Sequence, residues 1–125
     1  ASLLANTFNH YLLTMLCTYL NFLPEHHFYW VDTFELLDFI IAKPADFGFT
    51  NITDSGNQNP PVGYVFWDPI HPTTAAHQVV AAAACGQVYH HNLSKEMKQL
   101  IRKLNKLRPR QPMEYECDLL NPVTP

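Results

Sequence analysis

The chain has 125 residues and a formal net charge of −3, and is 47% hydrophobic but only 15% charged. That is about one small domain with enough apolar side chain for a core. The low charged fraction suggests surface buried against something else. The apolar runs are too short for a bilayer span of about 20 residues, and Ala1 to Leu4 lack the basic region of a signal peptide.

Leu4, Phe8, Tyr11, Leu12, Met15, Tyr19 and Leu20 recur at helical spacing and predict an amphipathic helix over 3–20. Pro24 closes the connection. The aromatic and β-branched run Phe28-Tyr29-Trp30-Val31 suits a buried strand ending at Asp32. Phe34 to Ala42 reads as a helix, with Asp32 or Thr33 as N-cap and Pro44 past its end. From Gly48 to Gly63 the Asn, Asp, Ser, Gly and Pro residues predict a long loop, and loops of this length are usually functional.

Tyr64 to Trp67 is a second expected strand. Thr73 or Thr74 can cap an alanine-rich helix over 75–84. Beyond Gly86, Ser94 can cap a helix with Met97, Leu100, Ile101, Leu104 and Leu107 on one face. Pro109 and Pro112 end it, and an extended tail follows, with Cys117 as a point where it can be pinned. Strands buried on both faces and alternating with helices predict an α/β fold with a parallel sheet. Two strands do not make a stable parallel sheet alone, so the chain reads as part of a larger α/β domain.

Charge divides sharply along the chain. Before Lys95 the one base is Lys43, against Glu25, Asp32, Glu35, Asp38, Asp46, Asp54 and Asp68. From Lys95 to Arg110 the bases are Lys95, Lys98, Arg102, Lys103, Lys106, Arg108 and Arg110, against Glu96 alone. A solvated helix face accounts for this run, and so does contact with an anionic surface. Nucleic-acid binding is not expected, because no stacking motif accompanies the basic helix. Cys17, Cys85 and Cys117 have no metal-site spacing. One disulfide with a free thiol, or three thiols, fits equally; Cys17 and Cys85 lie in apolar helical stretches, where a buried free cysteine is the default.

The stretch Tyr-Val-Phe-Trp-Asp-Pro-Ile-His-Pro-Thr-Thr runs from Tyr64 to Thr74. In open α/β sheets, sites gather at the carboxyl ends of strands, where Asp68 and His71 fall. A separation of three across a turn begun at Pro69 can bring the two side chains together, and Pro69 and Pro72 restrict the backbone around them. A carboxylate on one imidazole nitrogen fixes the tautomer for base catalysis at the other. Taken alone, Asp-x-x-His is weak evidence, and a loop histidine bonded to its neighbour accounts for the bare pattern better.

Phe66-Trp67-Asp68-Pro69-Ile70-His71-Pro72-Thr73, followed by Ala76-His77, resembles the last conserved block of the SGNH (GDSL) lipase/esterase family. Val31-Asp32-Thr33-Phe34-Glu35-Leu36-Leu37 with Pro44, then Phe47-Gly48-Phe49-Thr50-Asn51, Thr53-Asp54 and, upstream, Phe8-Asn9 are also similar to it. The resemblance spans about residues 3–84 and is greatest to the bacterial secreted branch of lysophospholipases, glycerophospholipid–cholesterol acyltransferases and haemolysin-type phospholipases. It implies the C-terminal part of a three-layer α/β/α, flavodoxin-like fold, incomplete on its own, over 1–86, with a basic amphipathic helix and tail over 87–125. It implies that His71 is the catalytic base and Asp68 its orienting acid. It also implies a serine nucleophile and an oxyanion hole from earlier blocks beginning with Gly-Asp-Ser, none of which occurs here. Many relatives carry a cysteine near the position of Ser55.

The expected activity is therefore carboxylic-ester hydrolysis or acyl transfer on lipids, by a serine hydrolase whose serine lies on a missing or separate N-terminal segment. The expected setting is secreted or extracellular, with a lipid or other ester as substrate, an anionic membrane surface as a candidate partner, and no cofactor or metal. The contrasting expectation is a non-catalytic fragment that binds an anionic membrane or a partner protein through its basic helix. His26–His27 and His90–His91 fit no zinc spacing, and His77 and His10 read as packing or hydrogen-bonding residues.

Overall fold

The computed structural model describes residues 2–57, 61–88, 94–107 and Cys117. Its elements in chain order are α1 (Ser2–Phe22), α2 (Thr33–Ala42), a 3₁₀ turn (Pro44–Phe47), β1 (Asn51–Ser55), β2 (Tyr64–Phe66), α3 (Thr74–Val88) and α4 (Lys95–Leu107). The class is mixed α/β, with four helices and one two-stranded parallel sheet among the described residues.

The helices start where capping chemistry starts them. Asp32 Oδ1 accepts the Phe34 and Glu35 N–H groups at 3.0 and 2.9 Å, which satisfies two of the donors a helix leaves open at its first turn. The Ser94 hydroxyl accepts the Met97 N–H at 3.2 Å and opens α4 in the same way. α3 outruns its expected end at residue 84 and continues through Gly86 to Val88.

The strands differ from expectation. Phe28–Val31 forms no strand, and β1 lies inside the segment read as loop. A strand is a hydrogen-bonding relation, not a residue preference. The segment around Asn51–Ser55 finds its partner: Thr50 and Asn51 N–H donate to the Gly63 carbonyl at 2.8 and 3.0 Å, and Gly56 N–H donates to the Phe66 carbonyl at 2.8 Å. Phe28–Val31 finds none among the described residues. The register pairs Asn51 with Tyr64 and Ser55 with Phe66, so it shifts between the two ends. The connection between these parallel strands, residues 56–63, is shorter than the dozen or so residues such crossovers usually need. Gly63, just before β2, needs to be glycine: its φ is +81°, and a Cβ there would lie 2.5 Å from the Thr50 hydroxyl.

The main core joins Leu36 and Ile40 of α2, Phe47 and Phe49, Val65 of β2, Ala76, Val79 and Ala82 of α3, and Ile101 and Leu104 of α4. The stripe predicted for α4 thus faces inward. α1 stands apart, with Leu13 and Cys17 packed by Leu16, Leu20, Phe28, Trp30 and Cys117. Cys17 is bonded to Cys117, where a free buried thiol was the default expectation; Cys85 is free. Of the predicted α1 stripe, Leu4, Phe8, Tyr11, Met15 and Tyr19 are exposed, Leu12 is half-buried, and Leu20 packs with Leu13 and Cys17 on the far face. α1 is apolar on both sides and has no charged residue, so period alone does not choose its inner face. No helix among the described residues is long and apolar enough to cross a membrane.

Candidate active site

The site is built on the loop that leaves β2. The Thr73 N–H donates to the Val65 carbonyl at 2.9 Å, the Trp67 N–H donates to the His71 carbonyl at 2.8 Å, and Pro72 bridges Phe66 in antiparallel sense. Residues 66–72 therefore form a tight return along β2, closed at its base. Asp-Pro is a strong start for such a turn, because the aspartate can cap the N–H groups that follow while proline presets the next φ.

Asp68 uses both carboxylate oxygens here. Oδ1 accepts the Ile70 and His71 backbone N–H groups at 2.8 and 2.7 Å. Oδ2 faces His71 Nδ1 at 2.7 Å. An ionised carboxylate only accepts, so Nδ1 carries the proton and, in the neutral ring, Nε2 keeps its lone pair. The His71 backbone N–H, then that of Ile70, then the His71 ring hold the Asp68 pKa down, from 3.8 to about 2. The acid is thereby kept as carboxylate at any ordinary pH. His71 has 70% of its side-chain surface exposed against 34% for Asp68. The carboxylate is thus seated in the loop while the imidazole reaches outward.

Thr73 couples this loop to the core, which goes beyond the helix cap expected of it. It is 3% exposed. Its hydroxyl donates to the Tyr64 carbonyl at 2.8 Å and accepts the Ala76 N–H at 3.3 Å. One side chain ties the last turn before α3 to β2. The polar threonine between Pro72 and an alanine-rich helix is the sequence signal for it. His77 is exposed and its Nδ1 lies 3.0 Å from the Thr73 carbonyl, so it bonds back along its own helix rather than toward the loop. Asp32 is occupied as a helix cap. His90 and His91 lie outside the described residues.

Of the three serines, Ser94 caps α4 and Ser2 begins α1. Ser55 ends β1, at the same sheet end as Asp68. However, Ser55 and Pro72 flank Phe66 on opposite edges. That puts two strand spacings, about 10 Å, between their backbones, and no hydrogen bond joins Ser55 to His71. Beside the loop an apolar groove is lined by Thr33, Leu36, Leu37, Ile40, Val65, Phe66, Pro72, Ala76 and Val80. Compared with protein-family models, curated proteins and solved structures, the chain has no match in any of the three.

Proposed function

We propose that this chain supplies the acid and base of a serine ester hydrolase of the SGNH type acting on lipid esters, with the serine contributed from outside the chain. His71 Nε2 takes the proton of that serine and returns it to the leaving alcohol, while Asp68 fixes the tautomer and stabilises the imidazolium. The observation that carries the reading is the Asp68 carboxylate on His71 Nδ1 at 2.7 Å, on an imidazole whose side chain is 70% exposed. The backbone contacts of Asp68 are those of the Asp-Pro turn and serve to hold that carboxylate in place.

Two further features support it. The apolar groove that reaches Phe66 and Pro72 is the kind of surface an acyl chain occupies. The two-stranded sheet and the outward apolar stripe of α1 are what a part of a larger α/β/α domain would present. The Cys17–Cys117 disulfide fits an oxidising compartment, and an extracellular setting is part of the proposal.

The test is kinetic. The chain alone should neither hydrolyse a short-chain chromogenic ester nor be labelled by a fluorophosphonate, because a base without a nucleophile forms no acyl-enzyme. Joined with a segment that carries Gly-Asp-Ser, it should turn over ester, and His71→Ala should abolish this with the circular dichroism unchanged. Asp68→Asn should reduce turnover by as much as about 10⁴, as for the aspartate of the serine-protease triad. A folded His71→Ala assembly with near-normal turnover would remove the assignment.

A further inference from the structure

α4 packs Ile101 and Leu104 into the core and leaves Lys95, Lys98, Arg102, Lys103 and Lys106 exposed. The spacing of Lys95, Arg102 and Lys106 by seven and four residues places them in one row, directly opposite the buried stripe and about 16 Å long. Lys98 flanks the row on one side. On the other, Lys103 donates to the Asp46 carbonyl. Glu96 is the helix's one acid. Among the described residues the ion pair found is that of Asp68 with His71, so no described carboxylate is paired with the row.

We propose that the outward face of α4 docks on an anionic phospholipid surface, with headgroup phosphates accepting from Lys95, Lys98, Arg102 and Lys106. The complementarity is of charge and shape: a straight cationic row on a convex helix meets a plane of phosphates. Residues 95–107 contain no aromatic side chain on which a base could stack, which disfavours single-stranded nucleic acid. The choice of lipid over other phosphates rests on the lipid-ester reading above; the cationic row itself does not. With a net charge of −3, the molecule as a whole is repelled by such a surface. Attraction must come from the local row, which orients the acidic body away from the membrane.

Vesicle co-sedimentation of the 125-residue chain separates this from the hydrolase proposal, because it reads binding and no turnover. Vesicles of phosphatidylglycerol and phosphatidylcholine should retain the chain at low salt and release it at high salt, and vesicles of phosphatidylcholine alone should not retain it. Each cation near the surface is worth roughly fivefold in partitioning. The triple variant Lys95→Gln, Arg102→Gln, Lys106→Gln should therefore bind about a hundredfold more weakly, while Lys95→Arg, Lys106→Arg binds as the parent does. Equal retention by neutral and anionic vesicles, or an unchanged triple variant, would overturn the proposal. Tighter binding to an RNA oligonucleotide than to anionic vesicles at equal phosphate would overturn it as well.

Discussion

The Thr73 hydroxyl donates to the Tyr64 carbonyl at 2.8 Å from a side chain that is 3% exposed. The same oxygen accepts the first free N–H of α3 that it can reach, that of Ala76. Thr73→Val keeps the shape and removes both bonds, which leaves a buried N–H and a part-buried carbonyl without these partners at a cost of about 1–3 kcal/mol. Thr73→Ser should recover most of this. Thermal denaturation of the two variants checks the cost. Amide exchange should show the loss centred on residues 64–77, and a loss spread evenly over the chain would contradict the role given to Thr73.

Asp68 should titrate near pH 2 when followed by its carboxyl ¹³C shift. Because the backbone N–H groups of His71 and Ile70 lower it most, His71→Ala should leave it well below 3.8. A return to the ordinary value in that variant would show that the ring, not the loop, holds the charge. A depressed native pKa contributes stability that is complete above the unfolded value and lost as the pH falls through the native one. Asp68→Asn should therefore flatten the stability profile between about pH 4 and pH 2.

Gly86 is buried inside α3, yet a Cβ there would meet Ile101 Cγ2 at 3.6 Å, an ordinary contact. Glycine in a helix interior costs up to about 1 kcal/mol relative to alanine. Gly86→Ala should raise the melting temperature by a few degrees. A lower value would mean that α4 sits closer to α3 than the contact indicates.

The Cys17–Cys117 bond closes a loop across a sequence separation of 100. The chain-entropy estimate for such a loop is about 4.7 kcal/mol. The cluster around Leu13 is small, so the bond should matter most for the seating of α1. Reduction, or Cys17→Ser, should accelerate amide exchange across Ser2–Phe22 while leaving α3 and α4 protected. Uniform loss of protection would place α1 within the cooperative core instead.

The features that the sequence determined by itself are those whose causes are local. Asp32 and Ser94 cap the helices that follow them because a cap needs only two or three residues of chain. The Asp68–His71 contact lies within one turn, and Pro69 and Pro72 restrict that turn whatever surrounds it. The single apolar stripe of α4 leaves one face to bury.

Tertiary structure decided the rest. Phe28–Val31 has strand composition but no ladder partner among the described residues, whereas the polar Asn51–Ser55 has one in β2. α1 is apolar on both sides, so packing against Phe28, Trp30 and Cys117, not periodicity, chose Leu13 and Cys17 as its inner face. Cys117 pairs with Cys17 across a sequence separation of 100, with their Cα atoms 5.6 Å apart. Pairing of distant segments depends on what else the chain can bury against, and no short window of residues contains that information.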